Sequence, residues 1–238
     1  MSEFADALAA IDGVAGWLTA AQARLLFERA SALRPGARIV EIGSYHGRST
    51  IVLARAAPEA EVVAIDPYVE RCRGPHLGER SLERFQENVE RAGVHRRVRH
   101  VRAFSSDALP AVVGEIDLLY IDGAHELAPA LADIRSWGAR VRDGGTMLVH
   151  DAFSSIGVTL AQIVELFFGR EFRYVGRSRS LAEYRREQVH GFARASSAAR
   201  QAAQLPWFVR NVLVKIALRT NARPVARALG HDGDVFPY

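Results

Sequence analysis

The sequence predicts an α/β fold: a doubly wound, mostly parallel sheet with helical cover at its N-terminus and basic helices at its C-terminus. Three observations carry that expectation. Short apolar runs alternate with helical-period segments from residue 38 to residue 184, and strands that alternate with helices pair in parallel. The first run leads into a glycine-bearing turn and a helix, RIVEIGSYHGRSTIVLAR, an arrangement that presents backbone amides to a ligand. The second, EVVAID, ends in a carboxylate at Asp66, where an acid can hold two ribose hydroxyls.

Taken in order, residues 1–37 read as helical cover, with Thr19 as N-cap of a helix through Leu33 and Pro35-Gly36 as its stop. Strand 38–42, helix 48–57, strand 61–66, helix 80–92 and strand 97–103 follow. Strand 116–121, helix 126–140, strand 145–150 and helix 156–168 come next, before a final strand pair near 172–184. Gly144-Gly145 reads as a tight turn into the strand that follows. Three units result: the cover over 1–37, a core over 38–185 and a basic helical appendage over 186–238.

A chain of 238 residues with 49% hydrophobic content supports one well-buried α/β unit plus an appendage. Its one cysteine, Cys72, excludes an internal disulfide and a cysteine zinc cluster. The N-terminus carries acids and no leading basic region, and no apolar run approaches the ~18 residues of a membrane span. A cytoplasmic location is therefore expected.

The turn after strand 38–42 narrows the ligand. The dinucleotide fingerprint G-x-G-x-x-G is absent; the pattern is Gly43-x-x-x-Gly47 with Glu41 ahead of it. A glutamate there would repel a diphosphate and could accept a hydrogen bond from an ammonium group. Glu41, Gly43, Gly47 and Asp66 resemble the class I S-adenosylmethionine-dependent methyltransferases, which have a Rossmann-like sheet. The resemblance implies that the turn, with Ser44, Tyr45 and Ser49, holds the methionine part of S-adenosylmethionine while Asp66 holds its ribose. It also implies that Phe104 or Ser105 lies against the adenine and that Asp122 borders the cofactor.

A second pattern, DLLYIDGAHELAPALADIRSWGARVRDGGTMLVHDAF, delivers Asp122 and His125 from one strand end and His150 and Asp151 from another. Two carboxylates aimed at one crevice repel unless they share a cation or a proton, and Mg2+ is the simplest partner. The pattern resembles the metal-dependent O-methyltransferases of the catechol type and of the macrocin and mycinamicin sugar type, over roughly residues 15–185. That resemblance implies Asp122 and Asp151 as metal ligands and His125 as the base that deprotonates the acceptor hydroxyl. The catechol type follows its second acid with an asparagine ligand, whereas this chain has Ala152; His150 is the expected replacement. Plainer roles stay open: a helix N-cap for Asp122, a surface residue for His125, a core histidine bonded to backbone for His150. The expected function is methylation of a hydroxyl on a sugar or glycosylated small molecule. A phenol or small metabolite is the alternative acceptor, and a cofactor-binding protein without catalysis the alternative from outside enzymes.

The last segment is different in charge. Residues 185–230 hold nine Lys/Arg and one acid, Glu187, whereas residues 1–184 hold 22 bases and 24 acids. Trp207, Phe208, Val212, Leu213, Ile216 and Ala217 recur there at helical spacing. Such helices could pack on the domain, meet a second subunit in a homo-oligomer or lie on an anionic membrane, and the last two place them away from the active site. The subunit is favoured, because the stripe is short for lipid anchoring. Nucleic acid is not an expected partner: N-P-P-Y, a paired-cysteine signature and an aromatic stacking platform are all missing.

Overall fold

The computed structural model describes residues 2–69 and 78–233; Cys72 lies outside them. Strands β1 (Arg38–Ile42), β2 (Glu61–Ile65), β3 (Val98–Val101), β4 (Ile116–Ile121), β5 (Val141–Val149), β6 (Phe172–Ser178) and β7 (Leu181–Arg186) form one sheet in the order β3-β2-β1-β4-β5-β7-β6. The pairs from β3 to β5 are parallel, while β7 runs antiparallel to both β5 and β6. The expected doubly wound, mostly parallel sheet is therefore present.

Burial explains the pattern. All six residues of β4 are buried, as a central strand covered on both faces requires. One face of the sheet carries α1 (Glu3–Ala10), α2 (Ala20–Ser31), α3 (Arg48–Ala56) and α4 (Gly78–Arg91), whose buried side chains form one apolar cluster. The other carries α5 (Ser105–Ala108), α6 (Leu127–Gly138) and α7 (Ile156–Glu165) around a second cluster. Thr19 caps α2 as the sequence predicts, and it does so in a reciprocal box with Gln22.

The structure departs from the sequence reading in particulars that have physical causes. Helix α1 precedes the one expected helix of the N-terminal cover. Strand β5 starts at Val141, and Gly144-Gly145 is not a turn ahead of it. The ladder shifts between Ile116 and Leu118, Gly144 takes φ +71, and a Cβ on Gly145 would stand 2.6 Å from Val141 Cγ1. The pair is a bulge within the strand. Helix α7 ends at Glu165 because the chain turns there to bury Leu166 and Phe167.

The C-terminal segment is helical, as α8 (Gly191–Ala202), α9 (Leu205–Arg219) and α10 (Arg223–Ala228). It is not held away from the domain. Ser197 Oγ accepts from Tyr174 N at 3.0 Å, and Asn211 and Val214 are fully buried. Among the described residues, no helix is long and apolar enough to cross a membrane.

Candidate active site

Strand order places the site. β1 lies between β2 and β4, so the chain winds outward in both directions from β1 and β4, and ligands of such sheets bind at the carboxyl edge of that switch point. Gly43 leaves β1 there with φ +87, and a Cβ on it would fall 2.1 Å from Asp122 O. A side chain at 43 would therefore push apart the two strand ends that bear the site. Gly47, at φ +85, is the N-cap of α3 and supplies no side-chain cap, so the first amides of the helix face the turn.

The predicted cofactor residues gather around this turn, with unequal access. Asp66 accepts from Tyr45 N and Tyr68 N, both at 2.9 Å, one on each carboxylate oxygen. Each oxygen keeps a lone pair for a further donor. Tyr45 takes φ +45, and its ring is stacked on His46 at 3.8 Å and lies 5.6 Å from Trp17. Ser44 Oγ is 3.2 Å from Tyr68 OH inside the protein. Ser105 Oγ donates to Asp133 Oδ1 at 2.5 Å, and Trp137 Nε1 donates to Ser105 O.

Glu41 and Ser49 take a different position from the one the sequence suggests. Glu41 is fully buried, and both its oxygens accept hydroxyls of α3, from Ser49 and Thr50. Burial raises its pKa to about 7, against the two hydroxyls, which lower it. The carboxyl is thus a fastener between β1 and α3, and an ammonium group would have to displace Ser49 or Thr50 to reach it.

At the neighbouring strand ends, the acids and histidines pair crosswise. His125 Nε2 stands 3.0 Å from Asp151 Oδ2, and His150 Nδ1 stands 3.1 Å from Asp122 Oδ1. Tyr120 OH donates to Asp122 Oδ2 at 3.0 Å. Asp122, His125 and Asp151 each bring one ligand atom within 4.8 Å of the others. His150 is not part of that group. Its side chain is 1% exposed and its Nε2 lies 3.2 Å from Gln22 Nε2, so its ring is held between Gln22 and the two carboxylates, with Nδ1 3.1 Å from Asp122 and 3.9 Å from Asp151. His150, the expected replacement for the missing asparagine ligand, thus stands outside the group of side chains that converge. Ala152, fully buried, supplies no ligand either.

Burial alone would hold the His150 imidazole neutral, but the carboxylates of Asp122 and Asp151 outweigh it and raise the pKa to about 9. Gln22 Oε1 is committed to Thr19 N at 2.9 Å, so its amide nitrogen faces His150 and favours a lone pair on Nε2. The two influences oppose each other at Nε2, and the carboxylates prevail: at neutral pH both ring nitrogens are protonated, with Nδ1 toward Asp122.

The residues present fit a cation. Asp151 Oδ1 is buried with no hydrogen-bond partner among the described residues, and two carboxylates supply the oxygen donors that a hard cation takes. Asp151 also takes φ +54, a conformation that costs a non-glycine residue about 1–2 kcal/mol. The turn that holds it is fastened from several sides: Ala152 N donates to Ser180 O, Asn211 Nδ2 to Phe153 O and Lys215 Nζ to Ser154 O. The C-terminal helices therefore support the site, contrary to the expectation that they stand apart from it.

Several supporting residues escaped sequence reasoning. Gln22 was legible as the end of a T-x-x-Q box, though its reach to His150 was not. Gly157 permits α7 to approach the His125 loop, since a Cβ there would lie 2.2 Å from His125 O. Asp122 does not cap α6; the N-cap is Glu126.

Comparison with known proteins agrees with this geometry. A family model described as a methyltransferase domain matches residues 40–152, from β1 through Asp151. This stretch is therefore similar to a methyltransferase domain. Among curated relatives, a protein of Mycobacterium tuberculosis named catechol O-methyltransferase is 32% identical over 147 residues, 61% of this chain and 60% of that protein. The chain spans about half to three fifths of the length of the curated relatives it matches. The solved structure of cofactor-bound Rv0187 from MTB is 25% identical, with a TM-score of 0.59 over 77% of this chain and 88% of that one. The O-methyltransferase TomG of Streptomyces achromogenes, solved with SAM, shares the fold at 21% identity, with a TM-score of 0.53 over 80% of this chain and 91% of that one. The matched span thus contains every predicted site residue.

Proposed function

We propose that this protein transfers the methyl group of S-adenosylmethionine to a hydroxyl oxygen of a small molecule, with a sugar or glycosylated compound as the first acceptor class. The observation that carries the proposal is the convergence of Asp122, His125 and Asp151 beside the Gly43 turn. In the transfer, the S–CH3 bond breaks as the O–CH3 bond forms. The sulfonium becomes a neutral thioether, and the acceptor's proton must leave with a base. The protein's tasks are to align donor and acceptor and to take that proton.

Asp66 is the ribose residue of this reading, and Gly43, Ser44, Tyr45 and Gly47 line the methionine end. His125 is the base: a proton on Nε2 satisfies its contact with Asp151 and leaves the Nδ1 lone pair for the acceptor hydroxyl. Asp122 and Asp151 would hold a divalent cation, Mg2+ for two carboxylates completed by water and substrate oxygens. Such a cation would acidify the hydroxyl and stabilise developing negative charge. A phenolic acceptor is the second reading, favoured by the likeness to the protein named catechol O-methyltransferase.

The test is incubation with methyl-labelled S-adenosylmethionine and a panel of sugar and phenol acceptors, with and without chelator. Labelled methyl ether that forms with Mg2+ and stops with chelator is the expected result. Transfer that persists in excess chelator removes the cation from the proposal, and absence of transfer to every hydroxyl acceptor removes the reaction. Asp66→Ala should weaken calorimetric cofactor binding by about 2–3 kcal/mol, the range for losing charge-assisted hydrogen bonds.

A further inference from the structure

We propose that the side of the molecule formed by α7 and the C-terminal helices docks on an anionic lipid surface. The inference is independent of the reaction proposed above. Ile156, Leu160 and Val164 recur every four residues along the outer face of α7, and Phe168 extends the row; all four are 40–64% exposed. The opposite face of the helix is buried through Val158, Ala161 and Gln162. An apolar row of this length facing water marks an interaction surface.

Hydrogen bonds bring the C-terminal helices to the same side. Arg194 Nε donates to Phe168 O and Gln201 Nε2 to Leu166 O, which fixes α8 at one end of α7. Asn211 and Lys215 fix α9 to Phe153 and Ser154, just before its other end. Helix α9 then turns Val209, Leu213 and Ile216 outward, each about half exposed. The sequence alone showed only this second, short stripe. The fold adds that of α7.

Charge selects the occupant. Residues 188–230 contain no acid, and Arg200, Arg219, Arg223 and Arg227 are exposed. A second copy docked face to face would set one acid-free cationic segment against another, a repulsion that nothing in these helices offsets. Anionic headgroups match the arginines while the apolar side chains enter the boundary of the acyl region.

The full-length protein should sediment with phosphatidylcholine vesicles that contain phosphatidylglycerol and not with phosphatidylcholine alone. Binding should fall about tenfold or more between low salt and about 0.5 M salt, because exposed charges are then screened. L213D/I216D, confirmed as folded by circular dichroism, should lose binding at every salt concentration, and R223E/R227E should lose the salt-dependent part. Failure to bind anionic vesicles at low salt, or equal binding to neutral ones, overturns the proposal. So does a dimer seen by light scattering that L213D/I216D dissolves, which would give the face to a second copy.

Discussion

His125 and His150 make nearly the same contact and cannot do the same work. Each places a ring nitrogen about 3 Å from one oxygen of one aspartate, His125 on Asp151 and His150 on Asp122. The His125 side chain is 40% exposed and that of His150 1%. Exposure separates the roles: a base must reach substrate and release its proton to water, whereas a buried imidazole can only orient its partner. Exposure therefore fits His125, and not His150, to the base of the proposed reaction.

The largest effect that this comparison predicts falls on turnover. His125→Ala should lower the rate of methyl transfer by ~10²- to 10⁴-fold, the usual range for a lost general base, while cofactor affinity and melting temperature stay near wild type. Single-turnover rates measured beside calorimetric binding separate these quantities. A variant with the wild-type rate across pH would make His125 a surface residue.

His150→Ala should do the reverse in kind. Asp122 is 27% exposed and keeps the Tyr120 hydroxyl, so the loss should fall below the figure for a fully buried pair, on the order of 2 kcal/mol of stability. Denaturant unfolding should show that drop before any assay of activity. An unchanged midpoint would mean that Asp122 is adequately solvated without the histidine, and the division between chemical and supporting histidine would fail.

The pair also carries a pH signature. His150 is raised from 6.5 to about 9, so the folded state holds a proton that the unfolded state has released between those values. Stability from this group is complete below pH 6.5 and is lost as pH rises through 9, by an amount on the order of 3 kcal/mol. Unfolding of the metal-free protein should weaken across that window, and the slope should vanish in His150→Phe. An equal slope in both proteins would assign the dependence elsewhere.

The sequence placed both histidines at strand ends and could not show what holds the second. Strand, turn and terminal acid follow a local grammar, so β1, Gly43, β2 and Asp66 could be placed from periodicity and glycine alone, and His125 from its spacing after Asp122. His150 stands in the sequence as a replacement ligand although alternation along the strand could turn it away, and alternation does not say what waits for a side chain. What waits is Gln22, 128 residues away in sequence. The same limit applied to Glu41, whose oxygens are closed by α3, and to the C-terminal helices, whose grip on Phe153 and Ser154 depends on a tertiary contact. Pattern within an element survives reading in one dimension, and partnership between elements does not.

The smallest predicted effect probes that long-range partnership directly. Gln22 Nε2 also donates to Ser180 Oγ at 3.1 Å, so the amide is fixed by Thr19, Ser180 and His150 together. Gln22→Leu would keep much of the volume and remove the donor, at a net cost of about 1 kcal/mol for the lost hydrogen bonding. Its specific consequence is freedom for the His150 ring, which would then be able to place either nitrogen toward Asp122. If Asp122 needs that orientation, affinity for Mg2+ should fall by about tenfold, the low end for loss of a supporting hydrogen bond, with the His125-dependent rate unchanged at saturating Mg2+. Gln22→Glu should restore the affinity in part, since a carboxylate can accept from Nε2 and keep the ring in place. Titration calorimetry on the three proteins decides the matter. Equal affinities in all of them would show that Tyr120 and the backbone position Asp122 without help from the N-terminal helix.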